Sequence, residues 1–262
     1  MIISFIGDIC LGRYIREKYE SCNYQLVSQE LIDYFSMGRV IANLESPVAD
    51  DIQSIGTRFS GSSAMLQQFN WVDCFSLANN HINDFGEEGM TSTILSLNNS
   101  GIKYNGLFEN VYKPYVIEEG DCKVAVFTCA DKVNRKLDTS KYSLLFVEDE
   151  LLHHLIKDYH LQGYLVIVYA HMGSMFCRYP NPSVYKTIHK LTDLGVDCIC
   201  VSHSHCVGGV FRCKDIPCFY GLGDFLMDGE SFRRRRSCSV SLNIMKNKIV
   251  DWVMIPAVTG IL

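Results

Sequence analysis

The chain is punctuated by short apolar runs that each stop at a cluster of chemically capable side chains, and this repeated junction limits the fold more than any other feature. Val196-Asp-Cys-Ile-Cys-Val201 leads into Ser202-His203-Ser204-His205. Four similar junctions follow other strand-like runs: Gly7-Asp8, Asn43-Leu44-Glu45, Asn79-Asn80-His81 with Asp84, and Ala170-His171. Apolar runs alternating with helical periodicity are the pattern of a layered α/β domain. Such sheets place their sites outside the carboxyl ends of the strands. Solvated loops alone would not put every cluster there, so the clusters point to one site assembled from the whole chain.

The strand-like runs are Ile2–Ile6, Arg39–Asn43, Cys74–Ala78, Lys123–Cys129, Leu165–Tyr169, Asp197–Val201 and Cys218–Tyr220. Cys238–Ile244 and Lys248–Met254, joined by Lys246-Asn247, read as a β-hairpin. Helices are expected over Gln25–Phe35, Ser62–Phe69, Gly86–Ser100, Glu148–His160 and Ser183–Leu194, with Gly101 and Gly195 suited to C-caps. No linker, repeat or low-complexity segment divides the 262 residues, so a single domain over 1–262 is expected.

A net charge of −5 argues against general affinity for nucleic acid or anionic membranes. The one basic run, Arg233 to Arg236, reads as a solvated loop, with an anion or substrate contact as its other reading. No apolar run reaches the roughly 18 residues of a bilayer span, and Met1 to Ile6 is too short for a signal peptide. The chain is therefore expected to be soluble. Its twelve cysteines follow no framework spacing, and Cys74, Cys129, Cys198, Cys200 and Cys218 lie inside apolar runs. Buried free thiols and a reducing, cytoplasmic setting follow.

Two histidines at i and i+2 beyond a buried strand can converge on one metal ion. Asp8 and Glu45 offer carboxylates for hard cations, and His171 is well placed to ligate. Within Leu77–Gly86 a carboxamide oxygen can ligate, and His81 can protonate a leaving group or hold an oxyanion. Asp84, three residues on, can orient the His81 ring. His153, His154, His160 and His189 fall on expected helices without companions and read as surface or packing residues.

The order and wording of these motifs resemble the CapA, or poly-γ-glutamate capsule synthesis, branch of the calcineurin-like metallophosphoesterase superfamily. The matching stretches are Gly7-Asp8-Ile-Cys-Leu-Gly12-Arg13, Asn43-Leu-Glu-Ser-Pro47, Ala78-Asn-Asn-His-Ile-Asn-Asp-Phe-Gly86, His171-Met-Gly173, Asp197 through His205, and Tyr220-Gly-Leu-Gly-Asp-Phe225. The resemblance implies a four-layer α/β/β/α metallophosphoesterase-like sandwich with a two-metal site. It implies ligation of divalent transition ions (Mn, Fe or Zn) by Asp8, Glu45, Asn80, His171, His203 and His205. It assigns His81 the role of general acid or oxyanion holder. The implied activity is hydrolysis of a phosphoester or amide in a cell-envelope or γ-glutamyl polymer, so the partner is a small-molecule, peptide or polymer substrate. Two other readings use the same pocket. One is a metal-independent peptide epimerase with Asp8, Cys10, His81 and the His203/His205 pair as opposed acid–base sets; the other is a non-catalytic capsule-assembly subunit that binds polymer.

The chain departs from the pattern at several positions. The wider superfamily begins with Asp-x-His, and here the third position is Cys10, which reads as packing or, alternatively, as a soft ligand. A Glu common after His-x-Gly is Met175, a Gln after the last His pair is Gly208, and the Asn of Leu-Gly-Asn-Phe is Asp224. These changes border the substrate pocket and bear on substrate class more than on fold.

Overall fold

A computed structural model of the protein describes residues 1–132, 139–228 and 235–259. The first half runs β1 (Ile2–Ile9), α1 (Arg13–Cys22), α2 (Gln29–Phe35), β2 (Arg39–Leu44), β3 (Cys74–Ser76), α3 (Gly86–Asn99), β4 (Lys103–Asn105), β5 (Leu107–Phe108), β6 (Tyr115–Glu119) and β7 (Cys122–Ala130). The second half runs β8 (Ser143–Leu144), α4 (Glu150–Leu161), β9 (Leu165–His171), α5 (Pro182–Asp193), β10 (Cys198–Ser202), β11 (Val210–Cys213), β12 (Ile216–Tyr220), β13 (Asp224–Leu226), β14 (Arg236–Met245) and β15 (Lys248–Val258). One sheet has the order β15-β14-β1-β2-β3-β4, with β13 also paired to β1; the other has the order β11-β12-β10-β9-β7-β6.

Strand alternation creates the layers, because successive side chains point to opposite faces. Ile3, Phe5 and Ile41 from the first sheet meet Val124, Val126, Ile167, Tyr169, Cys198 and Cys200 from the second. Val40, Ala42 and Leu44, of opposite parity, pack with Phe35 of α2 and with Met90 and Leu97 of α3. Ala125, Phe127, Val166, Val168, Ile199 and Val201 pack under Leu152 and Ile156 of α4 and Val184, Ile188 and Leu191 of α5. The result is the expected helix–sheet–sheet–helix sandwich. Strands β2, β9 and β10 are buried along nearly their whole length, which is why they read as unbroken apolar runs.

The local signals hold at most positions. Asn181 caps α5 by accepting from Val184 N at 3.0 Å, with Pro182 at the first turn. Lys246 and Asn247, at φ 49° and 55°, form the tight turn of the β14–β15 hairpin. Two expectations change. The helix expected over Gln25–Phe35 begins only at Gln29, after Val27 turns into the core. The segment expected as an α-helix over Ser62–Phe69 is a 3-10 helix, Ser63–Phe69. Helix α1 and the short β13 carried no clear periodic signal. Of the basic run, Arg233 and Arg234 lie outside the described residues, and Arg236 opens β14. Among the described residues, no helix is long and apolar enough to cross a membrane.

Candidate metal centre

The inter-sheet parity ends, at the carboxyl edge of both sheets, in polar side chains. Asn43 continues the face of Ile41, His171 that of Tyr169, and Ser202 that of Cys200. The parallel ladder puts Ser202 beside His171 and Asn43 beside Asp8. Sequence neighbours on the strands thereby become spatial neighbours across two sheets.

Gly7 permits the closest approach in this region. A Cβ there would lie 2.1 Å from Gly223 O, so only glycine lets β1 and the Gly223 backbone meet. Asp8 N donates to Gly223 O at 3.0 Å, and Asp8 pairs in register with Asp224. Beyond β10, His203 and His205 take left-handed backbone conformations, φ 88° and 50°. Such residues cost about 1–3 kcal/mol each. They are held by His203 N donating to Asp8 Oδ2 at 3.2 Å and by Phe176 N donating to Ser204 O at 2.7 Å.

All six residues expected as ligands come together. His171 Nε2 lies 2.7 Å from Asn80 Oδ1, 3.0 Å from His203 Nδ1 and 3.4 Å from Glu45 Oε1. His205 lies 3.8 Å from Asp8 through Nδ1 and 3.7 Å from Glu45 through Nε2. Glu45, His171 and His203 form one group with donor atoms within 4.8 Å of one another, and Asp8, His205 and Asp224 form a second. His81 stands beside these groups, with Nδ1 2.8 Å from Asp84 Oδ2, the pairing expected from their spacing. Asp84 Oδ2 also accepts from Phe59 N at 2.8 Å, and the Phe59 ring lies 4.3 Å from the His81 ring. His153 and His154 sit on α4, bonded to Val147 O and Glu150 O, and take no part.

The sequence reading named two further residues without giving them a role in the site. Asn43 bridges the site, with Nδ2 2.8 Å from Asp8 Oδ1 and 3.2 Å from His171 Nδ1. Asp224, 1% exposed, places Oδ1 2.7 Å from His205 Nδ1. The signal for Asp224 was its place after Gly221-Leu-Gly223, a break in an apolar run like the others. Asn79 serves the turn instead: its Oδ1 accepts from His81 N and Ile82 N, both at 3.0 Å.

Burial sets the electrostatics. It pushes the Asp8 carboxyl up to about 7, reinforced by Glu45 and opposed by His171 and His205. It also raises Glu45 above the usual carboxylate range, against the pull of His205 and His81. Burial alone would lower His205, but Glu45 first, then Asp224 and Asp8, outweigh it and hold that imidazole at about 10. Burial raises the Cys10 thiol, which packs with Phe59 and Met227 as a small hydrophobe. Both Glu45 oxygens are buried without a hydrogen-bond partner. A buried, unpartnered carboxylate ringed by imidazoles fits a divalent cation, which would neutralise the carboxyls and occupy the lone pairs. The mixed oxygen and nitrogen donor set suits a transition ion.

The fold is a calcineurin-like phosphoesterase sandwich. A phosphatase structure from Mycoplasma pneumoniae aligns over 98% of this chain and 93% of its own, with TM-score 0.59 and 14% identity. A hypothetical protein from Thermus thermophilus aligns over 99% and 100%, with TM-score 0.58 and 14% identity. The model of the bacterial capsule synthesis protein PGA_cap family matches residues 2–229, and the chain belongs to that family. The PGA biosynthesis protein CapA of Bacillus subtilis is 25% identical over 93% of this chain and 68% of its own length. The capsule biosynthesis protein CapA of Bacillus anthracis is 25% identical over 94% and 64%. The chain thus spans about two thirds of these relatives.

Proposed function

We propose that the protein is a metal-dependent hydrolase with a two-ion site, acting as one domain on a phosphoester or amide bond in a capsule or γ-glutamyl polymer. The observation that carries this reading is Glu45: a carboxylate with 0% exposure, no hydrogen-bond partner, and two imidazole nitrogens within 3.7 Å. Asp8, Glu45, Asn80, His171, His203 and His205 would hold divalent Mn, Fe or Zn. Such ions supply Lewis-acid polarisation of the scissile group and an activated water. Asn43 and Ser202 fix the His171 ring through Nδ1. His81, oriented by Asp84, is positioned to give a proton to a leaving group or to hold an oxyanion. The capsule context comes from the names of the relatives, and the free state of all twelve cysteines supports a reducing, cytoplasmic setting.

A second reading, a capsule-assembly subunit that binds polymer without turnover, draws support from two Mycobacterium tuberculosis relatives named as probable polyglutamine synthesis accessory proteins. The epimerase reading has less support, because Cys10 packs with Phe59 and Met227 and belongs to neither donor group. Protein purified without chelators should carry or take up one to two transition ions per chain. It should hydrolyse an aryl phosphodiester or a γ-glutamyl anilide in a reaction that EDTA abolishes and Mn restores. No binding at any metal concentration would overturn the hydrolase reading, whereas tight metal binding without turnover of either substrate would favour the assembly subunit.

A further inference from the structure

We infer that Asp224 is a direct metal ligand, completing one subsite with Asp8 and His205. The inference rests on the two-ion reading and deepens it. Strand β13 lies off the main order of its sheet and pairs with β1, in parallel, so that Asp8 and Asp224 face each other in register. The Gly7–Gly223 approach is what brings the two carboxylates side by side. Asp224 is 1% exposed; its Oδ1 meets His205 Nδ1 at 2.7 Å, and its Oδ2 is buried with no partner. Burying a second carboxylate against Asp8 without a cation is costly. Cys10 belongs to neither donor group and instead packs with Phe59 and Met227.

The two groups then differ in chemistry. Asp8, Asp224 and His205 offer two carboxylates and one imidazole, whereas His171, His203 and Asn80 offer two imidazoles and a carboxamide. Glu45 Oε1, 3.4 Å from His171 and 3.7 Å from His205, stands between them. The Asp224 subsite is the harder of the two and should favour Mn over Zn relative to its neighbour.

A simpler role for Asp224 would be to orient the His205 ring, as carboxylates beside ligating histidines commonly do. The two roles separate in Asp224→Asn, whose carboxamide oxygen still accepts from His205 Nδ1 while an NH2 that cannot ligate replaces the unpartnered Oδ2. Full-length protein stripped with EDTA and titrated with Mn(II) provides the test, read by bound-ion stoichiometry and electron paramagnetic resonance. Wild type should bind two ions with an exchange-coupled spectrum. Both Asp224→Asn and Asp224→Ala should bind one, give the six-line spectrum of an isolated ion, and weaken the second by about a hundredfold or more. Cys10→Ala should keep the coupled pair. If Asp224→Asn retains two coupled ions with affinities within about tenfold of wild type, Asp224 only orients His205 and the inference is overturned. Loss of one ion in Cys10→Ala would overturn it in favour of the thiolate. A wild type that binds no Mn(II) and no Zn(II) would instead defeat the two-ion reading itself.

Discussion

Glu45→Gln should make the metal-free protein more stable and the metal-loaded protein less so. Both Glu45 oxygens are buried without hydrogen-bond partners, and burial holds the carboxyl above its usual range. An unsatisfied buried polar group costs about 1–3 kcal/mol, and more when charged. Glutamine removes the charge at nearly constant volume, and its amide can donate to the neighbouring Asp8 carboxylate. A gain of about 1–3 kcal/mol in EDTA, for a chain of this size, raises Tm by about 2–6 °C. With metal the order reverses. Ligand at a hundred times its Kd stabilises wild type by about 2.7 kcal/mol, and the variant, lacking the carboxylate between the two donor groups, should forgo most of that. Paired thermal unfolding in EDTA and in excess Mn, followed by circular dichroism, measures both halves. The reasoning fails if Glu45→Gln melts below wild type in EDTA, or if its Tm rises with Mn as much as that of wild type.

His81→Ala should lower kcat by roughly a hundredfold or more while bound metal stays at the wild-type level; full turnover on an aryl phosphodiester would refute the role. In EDTA the folded protein should lose stability as pH rises, because Asp8 moves from 3.8 up to about 7 and His205 from 6.5 up to about 10 on folding. Each contribution is complete below the unfolded value and lost through the folded one. The urea midpoint should therefore fall from about pH 7 to about pH 10, a window set by His205, and a rising midpoint there would count against the His205 assignment. Denatured protein should show all twelve thiols to an alkylating agent, and native protein chiefly the exposed Cys22 and Cys177 with the half-buried Cys206; Tm should not respond to reductant, since no bridge exists to lose.

The amino-acid sequence by itself determined the strands that are buried on both faces, because only an unbroken apolar run satisfies both layers, and it placed a polar cluster at the end of each. The Asn80-His81 segment, the His203/His205 pair and the His81–Asp84 spacing were legible for the same reason: their partners lie within a few residues or immediately follow a strand. What the sequence could not determine is which cluster faces which. The Asp8–Asp224 pairing joins opposite ends of the chain and depends on β13, three residues long, which is too short for any periodicity to announce. Asn43 looked like the last residue of a strand and became a bridge between Asp8 and His171 only when the two sheets stacked. The packing of Cys10 with Phe59 and Met227 likewise comes only from the tertiary structure. Local hydrophobic patterning specifies elements because burial acts on each side chain in turn; the donor groups arise from register and sheet packing, which are properties of distant segments taken together.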